Sequence, residues 1–575
     1  MTRLPIRPLA FTAVLAAAVG CDTHVPPDEA ATLILRGGRV VTVDSALPEA
    51  EAVAVRGANI IAVGTTRAIN RYISDSTEIV ELNGRLAIPG FIESHGHYLR
   101  LGESKTILDL TTAKRWDDIV AQVGSAAGDA PAGAWIAGRG WHQEKWETPP
   151  PGAVEGNPVH ADLSRVSANN PVLLTHASGH AAFANKAAME LAGITRRTPN
   201  PPGGEIVKDA SGEPTGLLRE TAQRLVGNVM GRAQAERPAD VREAEQRRFV
   251  QLAADEALAK GVTSFHDAGS SFATIDFLKK LETEGALPVR LYVMVRRESN
   301  AAMDTLLPRY FMPIEGDDYL TVRSIKRQID GALGSHGAWL LMPYVDLTTS
   351  SGLELEDPTD IEGTAEIAIK HGFQVNTHAI GDRANREVLD IYERVFARHT
   401  EKTGLRWRVE HAQHIDPADV PRFKQLGIVA AMQGTHATSD GPWIPRRLGD
   451  ERALKTSYVF RDLINAGVII SNGTDVPVEK IDPIASFYSA VTLMTNEGKP
   501  FNESQKMTRD EALRSYTINA AYAAFEEQVK GSLTTGKLAD ITVLSKDILT
   551  IPDAEIPTAE VDFTIVGGKV KYRRQ

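Results

Sequence analysis

Cysteine is almost absent from this 575-residue chain, in which Cys21 is the single example. One thiol cannot form a disulfide within the chain, and it cannot supply the several thiolates of a cysteine-rich metal site. The apolar run over residues 9–20 is too short to remain in a bilayer as a spanning helix. Internal repeats, low-complexity tracts and runs of like charge do not stand out either.

Positive charge is in deficit. The chain has 63 Lys and Arg against 74 Asp and Glu, a formal net charge of -11. Proteins that bind nucleic acid need a basic surface, so this balance argues against such a partner and leaves small molecules open as ligands. The hydrophobic share of 42% is typical of a globular protein, and the length accommodates a large domain with a smaller one.

Residues 1–21 are typical of a lipoprotein signal peptide. Arg3 and Arg7 precede the short apolar run, which ends in Ala18-Val19-Gly20-Cys21, a sequence similar to the bacterial lipobox. We predict that Cys21 carries a lipid and becomes the mature amino terminus, with residues 22–30 as a tether; the alternative is a chance cysteine beside a cleaved signal. The protein is then exported to the periplasmic side and held at the membrane through this lipid alone.

The body of the chain alternates strand-like and helix-like segments, which favours parallel β/α units. Amphipathic helices fit between many of the strands, for example at residues 241–260 and 365–371. Eight such units predict a TIM-type (β/α)8 barrel, whose reacting groups gather at the carboxyl ends of the strands. The predicted barrel strands are residues 86–94, 262–266, 290–295, 322–330, 373–378, 406–411, 428–433 and 468–475.

Both ends of the chain have a different sequence pattern, with short alternating or apolar strand-like runs that end in glycine. We predict that residues 31–88 and 531–575 pair into one small β-sandwich, and that residues 89–530 form the barrel domain. The stretch of about 135–237 follows the first barrel strand and is too long for a simple loop. It predicts an inserted subdomain that covers the mouth of the barrel.

His95-Gly96-His97 is the most informative motif, because it ends the apolar run of residues 86–92. Side chains two apart on a strand point the same way, so these two imidazoles form half of a metal site. Each further candidate alone could be a capping residue or a histidine bonded to a carbonyl. Together they indicate a metal centre, because all follow strand-like segments: Lys326, His378, His411 and Asp475.

Lys326 allows two interpretations. A lysine inside a barrel is costly as a bare cation unless it is paired or neutralised. Reaction with carbon dioxide would make it a carbamate, an anionic ligand able to bridge two metals. The alternative is an ammonium paired with Asp330 or another acid.

These motifs together resemble the amidohydrolase superfamily, in the branch that includes N-substituted formamide deformylase (amidohydrolase family 3). The resemblance implies a barrel that holds one or two divalent metals, most often zinc, with iron, manganese or nickel as alternatives. It assigns His95, His97 and Asp475 to one metal, and His378 and His411 to the other, with carbamylated Lys326 between them. The motifs are residues 89–97, Lys326 with Asp330-Gly331, and residues 376–382, 409–413, 473–478 and 536–540.

The implied reaction is hydrolysis of a non-peptide C–N bond of amide type in a small molecule. The pKa of water held by a divalent cation is near 7, against about 15.7 for bulk water. Asp475 is the expected proton acceptor and catalytic residue. One alternative is a cyclic amidase or a deaminase acting on a heterocycle. Another, of a different class, is a barrel that binds ligands without turnover.

The residues that contact substrate are less sharply indicated. Aromatic density around residues 135–146 suits a ring-bearing substrate, although most of these rings could belong to the core of the insertion. Gly434 stands where the branch usually has proline, and His336 where arginine is frequent, which leaves the substrate open. Assembly of the chain into a homodimer is also compatible with the sequence. The substrate-binding candidates are Trp141, His142, His180, Gln433 and His436.

Overall fold

The computed structural model describes residues 29–575. The predicted signal peptide, Cys21 and most of the tether lie outside the described residues. Within residues 29–575, no helix combines the length and the apolar character needed to cross a bilayer.

The described residues form strands that fall into three sheets. The strands are β1 (Leu33–Val41), β2 (Glu49–Arg56), β3 (Asn59–Gly64), β4 (Glu78–Glu81), β5 (Leu86–Pro89), β6 (Phe91–Gly96), β7 (Leu108–Asp109), β8 (Ile136–Trp141), β9 (Val172–His176), β10 (Ala181–Ala184), β11 (Gly204–Lys208), β12 (Pro214–Glu220), β13 (Val262–Ser270), β14 (Arg290–Val295), β15 (Leu320–Gln328), β16 (Gln374–Ala379), β17 (Arg408–His411), β18 (Val429–Met432), β19 (Ile470–Asn472), β20 (Ile541–Leu544), β21 (Val561–Val566) and β22 (Lys569–Arg573).

Helices connect most of the barrel strands. They are α1 (Thr66–Ile69), α2 (Tyr98–Ser104), α3 (Trp116–Asp129), α4 (Ala161–Val166), α5 (Lys186–Leu191), α6 (Gln223–Ala235), α7 (Ala239–Ala259), α8 (Phe272–Thr283), α9 (Asn300–Leu306), α10 (Pro358–His371), α11 (Asp382–Arg398), α12 (Val420–Leu426), α13 (Gly434–Asp440), α14 (Ile444–Leu448), α15 (Asp450–Thr456), α16 (Phe460–Asn465), α17 (Pro483–Thr492), α18 (Arg509–Ser515) and α19 (Ile518–Ala523).

The central sheet is the barrel. Its eight strands run in the order β6-β13-β14-β15-β16-β17-β18-β19, and every neighbouring pair is parallel. The ring is nearly closed, because two backbone hydrogen bonds join its ends: Asp475 N–H donates to His95 O and His97 N–H donates to Val476 O, both at 2.7 Å. The prediction of a barrel of eight parallel strands is confirmed in this form.

The barrel strands are buried on both faces because helices cover the outside. All six residues of β16 are buried, and α11 turns Val388, Leu389 and Tyr392 toward the sheet. On the outer face of the same helix, Arg394 pairs with Glu362 of α10. The apolar face of α11 therefore packs against this strand and its neighbours in the core, and its charged face lies outside.

The strands of the two chain ends share a single mixed sheet. Its order is β22-β21-β20-β5-β1-β2-β3, with β4 beside β1. The prediction that the two ends combine agrees with this pairing, but the strands form one continuous sheet where two facing sheets were expected. Side chains from both ends, including Leu35, Val53, Val543 and Ile565, pack in one cluster.

The predicted first barrel strand, residues 86–94, is wrong in its extent, because it divides at Gly90. β5 before this glycine pairs with β1 and β20 in the chain-end sheet, whereas β6 after it pairs with β13 in the barrel. A Cβ atom at Gly90 would lie 2.2 Å from Thr263 Oγ1, so only glycine allows the close approach at this junction.

The insertion between β6 and β13 is built on a six-stranded sheet in the order β11-β12-β10-β9-β8-β7. This sheet already begins at Leu108, so the expected start near residue 135 is too late. Leu108 and Asp109 pair in parallel with Gly138 and Arg139, and a two-residue strand shows no alternation that the sequence could reveal. The ring of Trp116 in α3, 4.9 Å from that of Phe183, also belongs to the core of this unit.

One buried ion pair connects the barrel to the chain-end sheet. Arg290 of β14 is 1% exposed, and its Nε lies 2.9 Å from Asp540 Oδ2. Asp540 Oδ1 also accepts a hydrogen bond from the Gly567 N–H at 2.8 Å. Loss of one charge of a buried pair leaves the other without compensation.

We therefore expect Asp540→Asn to lower the free energy of unfolding by about 3 kcal/mol, because Arg290 stays buried without its counter-ion. Thermal unfolding followed by circular dichroism at a fixed scan rate measures the shift in midpoint. Glu78→Gln is the matched control, because the pair of Glu78 with Arg573 is more than half exposed and contributes less than about 1 kcal/mol. Equal midpoints for the two variants would contradict the assigned role.

Candidate metal centre

The ends of the first and last barrel strands bring together three candidate ligands. His95 lies at the end of β6 and is 1% exposed, His97 follows it, and Asp475 lies just after β19. Asp475 Oδ1 is 3.5 Å from His95 Nε2 and 3.3 Å from His97 Nε2. One ligand atom from each residue lies within 4.8 Å of the other two.

The chemistry of this triad fits a divalent cation. Asp475 Oδ1 is buried and makes no hydrogen bond within the described residues. Burial raises the pKa of Asp475, but His97 and His95 outweigh burial and hold it well below its ordinary value. Burial lowers the pKa of His97 to about 3, so its imidazole is neutral. Two neutral imidazoles and an ionised carboxylate are suitable ligands for zinc and related ions.

The other three predicted ligands lie beside this triad. The His411 ring is 4.7 Å from that of His95 and 4.4 Å from that of His378, and Lys326 Nζ is 3.4 Å from His95 Nε2. Burial holds the pKa of His378 and of His411 well below the ordinary value. His378 Nε2 is buried without a hydrogen bond in residues 29–575, although it lies 3.4 Å from Asp330 Oδ1. The structure thus brings all six predicted side chains to one end of the barrel.

Lys326 does not pair with Asp330. The Asp330 carboxylate accepts backbone N–H groups from Ile380, Gly381 and Trp339 at 3.0, 2.8 and 2.9 Å. Lys326 forms no ion pair with any acid of residues 29–575, and burial lowers its pKa to about 7. This environment leaves a substantial share of the amine uncharged at neutral pH, and it provides no ion-pair partner for an ammonium among the described acids.

Sequence reasoning missed Glu410, which orients a ligand. The His95 Nδ1–H donates to Glu410 Oε2, and Arg408 Nε lies 2.6 Å from Glu410 Oε1. Burial raises the pKa of Glu410, but Arg408 and His95 more than offset it and hold this carboxylate ionised. Alternation on β17 would send Glu410 and His411 to opposite faces; a φ of +75° at His411 breaks it, so both residues reach the centre.

Glu93 is a second acid that the sequence did not single out. Its carboxylate accepts from the Thr474 N–H at 2.7 Å and from the Thr474 hydroxyl at 2.8 Å. Burial raises the pKa of Glu93 to about 8. A Cβ atom at Gly473 would lie 2.4 Å from Glu93 Oε1. Glu93 therefore shapes the turn that presents Asp475, and glycine is required beside it.

A pocket opens over these ligands, which we call the metal-site pocket. His142, His180 and His436 line it together with His411 and Asp475. His180 Nδ1–H donates to Glu220 Oε2 at 2.7 Å, and the His180 ring is 5.3 Å from that of His378. Burial lowers the pKa of His180, but Glu220 more than offsets it, so the net shift is upward. Three of the five substrate-binding candidates therefore face this pocket.

The other two candidates have different surroundings. The Trp141 indole is 1% exposed and donates Nε1–H to Leu174 O at 2.9 Å within the core of the insertion. It borders a separate cavity of about 450 Å³ and does not line the metal-site pocket. Gln433 Oε1 accepts from His411 Nδ1 at 2.8 Å. Gln433 thus orients a candidate ligand, a role that outer partners of metal-bound histidines commonly have.

The two departures from the family pattern have local explanations. Gly434 begins α13, where a Cβ atom would lie 2.8 Å from the Ser486 carbonyl oxygen, so a proline ring would not fit. His336 has a φ of +59°, its Nε2 is 3.2 Å from Asp346 Oδ1, and it borders the separate cavity. In residues 29–575, Gly434 bonds to Asn472 and His336 to Asp346, and neither forms a hydrogen bond or ion pair with the six candidate ligands.

Comparison with known proteins agrees with this geometry. The sequence profile described as the amidohydrolase family matches residues 78–572. The chain belongs to the amidohydrolase family. Through this membership it is a metal-dependent hydrolase that acts on carbon–nitrogen bonds.

Similarity to individual members extends over nearly the whole chain. "Protein LONG AFTER FAR-RED 3" of Arabidopsis thaliana is 34% identical, covering 95% of this chain and 92% of its own. N-substituted formamide deformylase of Arthrobacter pascens is 29% identical, with 94% and 98% covered. A metal-dependent hydrolase from Pyrococcus horikoshii OT3 superposes with a TM-score of 0.72 at 25% identity, with 91% and 99% covered.

We expect Glu410→Gln to weaken zinc binding by about 10- to 100-fold, because it removes the charge that orients His95 and raises its basicity. Titration against a competing chelator measures the affinity. Glu497→Gln, an exposed substitution on the same chain, should leave it unchanged. An unaltered affinity in Glu410→Gln would show that His95 does not depend on this partner.

Proposed function

We propose that the protein hydrolyses a non-peptide C–N bond of amide type in a small molecule. The observation that carries this proposal is the arrangement of six candidate ligands from five barrel strands around one pocket. A barrel that only binds ligands has no need of so many neutral imidazoles beside an ionised carboxylate, which disfavours the non-catalytic alternative.

His95, His97 and Asp475 would hold one divalent ion, and His378 and His411 a second, with a carbamate on Lys326 between them. Zinc suits these nitrogen and oxygen ligands, and iron, manganese and nickel are the alternatives. When bound, such ions lower the pKa of water from 15.7 toward about 7 and polarise the carbonyl group that is attacked.

The side chains of this protein supply the proton transfers. Asp475 is ionised, and with Oδ1 toward a metal its second carboxylate oxygen would be left to accept a proton from the attacking water and return it to the departing nitrogen. Glu93 holds the turn on which Asp475 lies, and Glu410 holds His95. The Asp475 carboxylate therefore needs little rearrangement before it accepts the proton.

The bond that is cleaved is part of the proposal. The name of the Arthrobacter pascens relative supports an acyclic formamide or amide. Opening of a cyclic amide, or removal of ammonia from a heterocycle, uses the same groups. A panel of N-substituted formamides, N-acyl amino acids, cyclic amides and amino-substituted heterocycles, tested on zinc-loaded protein with analysis of products, distinguishes them, since among these only deamination releases ammonia.

Cellular location and oligomeric state are also part of the proposal. The lipid on Cys21 would place the enzyme on the periplasmic side of a membrane. Assembly into a homodimer is independent of the chemistry, since all six candidate ligands come from one chain.

We expect Asp475→Asn to lower kcat by about 10²- to 10⁴-fold while most bound zinc survives, because the amide keeps an oxygen ligand but cannot accept the proton. Steady-state kinetics on the best substrate of the panel, with metal analysis of the same samples, tests this. Asp129→Asn, which changes an exposed acid of α3, serves as the control. Full activity in Asp475→Asn would reject the proposed proton acceptor.

We expect Lys326 to form a carbamate, because burial lowers its pKa to about 7, so that a substantial share of the amine is uncharged and nucleophilic at neutral pH. Zinc-loaded protein equilibrated with ¹³C-labelled bicarbonate should give a carbamate carbon resonance that Lys326→Met lacks. Lys370→Met, at an exposed lysine paired with Asp304, should keep it. Absence of the resonance from the wild type would leave Lys326 as an amine.

A further inference from the structure

One wall of the metal-site pocket carries two carboxylates that the proposed reaction does not use. They belong to Asp440, at the end of α13, and to Glu479, in the loop after β19, and we call this pair the acidic wall. Among the lysines and arginines of residues 29–575, Lys145 alone lines the pocket. Its Nζ lies 3.9 Å from Glu479 Oε1, and the two side chains are 43% and 26% exposed. Such a loose pair stabilises little, so the wall keeps an excess of negative charge.

The carboxylate of Asp440 has no cationic partner in the described part of the chain. Its Oδ2 accepts a hydrogen bond from the Tyr458 hydroxyl at 2.9 Å, and the Ser439 hydroxyl lies 3.4 Å from Oδ1. Burial raises the pKa of Asp440 to about 6 although His436 opposes the rise, and the charge of Glu479 adds to it. The ionised carboxylate is therefore stabilised when a cation comes close to it.

His436 provides an independent sign that a polar group of a ligand binds here. It lies one helical turn before Asp440 on α13 and is 7% exposed. Its Nε2 is buried and has no hydrogen-bond partner in residues 29–575, although the residue lines the pocket. Buried polar atoms are rarely left without a partner. Residues four apart on a helix share a face, so His436 and Asp440 border the same part of the pocket.

The acidic wall is held at a fixed position relative to the candidate metal centre. The His436 ring stacks on that of His411 with 6.4 Å between centroids, and Asp440 lies one turn further along α13. Glu479 belongs to the same loop as Asp475. One turn of helix advances about 5.4 Å, so a short chain separates a group bound at the wall from the bond that is cleaved.

We infer that the acidic wall binds an ammonium group of the substrate, so that the substrates are diamines acylated on one nitrogen. An ammonium offers three N–H donors, and Asp440 Oδ1, a Glu479 oxygen and His436 Nε2 are three acceptors. The net charge of -11 also attracts cations from solution. This inference rests on the proposed function, because it specifies the substrate class of the same pocket.

Binding measured without turnover tests the inference. N-acetylcadaverine and N-hexylacetamide share the amide and the chain length, but the first ends in an ammonium and the second in a methyl group. Calorimetry measures both affinities on the zinc-loaded, full-length Asp475→Asn protein, in which hydrolysis does not interfere. We expect N-acetylcadaverine to bind at least about 10-fold tighter, equivalent to about 1.4 kcal/mol. Raising the salt concentration should weaken its binding selectively.

Further variants in the same host assign the effect to the wall. Asp440→Asn and Glu479→Gln each remove a charge at constant size, so each should weaken N-acetylcadaverine about 10-fold and leave N-hexylacetamide unchanged. Lys145→Met removes the competing cation and should tighten N-acetylcadaverine by up to about 5-fold. Asp450→Asn, at an exposed acid of α15, is the matched control and should have no effect.

The outcomes separate this inference from the proposed function. Equal or undetectable binding of the two probes would overturn the inference even if neutral formamides are hydrolysed. N-acetylcadaverine binding that Glu479→Gln leaves unchanged would also overturn it, and this partly exposed site decides the matter if Asp440→Asn fails to fold. A selective loss in Glu479→Gln with a gain in Lys145→Met would support the inference even if no substrate of the panel is turned over.

Discussion

Closure of the barrel is the constraint on which the candidate site depends. The Asp475 N–H donates to His95 O, and the His97 N–H donates to Val476 O, across segments that lie far apart in the chain. These two bonds draw the ends of the first and last barrel strands together. The same residues carry the three side chains whose ligand atoms lie within 4.8 Å of one another. Closure of the barrel therefore also brings these three candidate ligands together.

The site carries an electrostatic cost that the surrounding protein only partly offsets. Asp475 and Glu410 are buried and ionised, and neutral imidazoles surround them. Arg408 compensates Glu410, and Glu410 in turn orients His95. The free oxygen of Asp475 has no comparable partner in residues 29–575. A divalent cation would satisfy it, which is the physical reason for treating the cluster as a metal centre.

The insertion covers this end of the barrel and also contributes side chains to the pocket. It supplies His142 and His180 to the metal-site pocket, and Glu220 at the end of β12 orients His180. The barrel thus provides the six candidate ligands, while the insertion provides two histidines of the pocket lining.

The sequence by itself determined the barrel and its six candidate ligands, because buried parallel strands read as apolar runs and reacting groups follow their ends. Tertiary structure alone decided what depends on distant contacts. Gly90 divides one apolar run between two sheets because Thr263 approaches it, and alternation carries no record of that neighbour. The positive φ of His411 brings its imidazole to the centre beside Glu410, against the period of the strand.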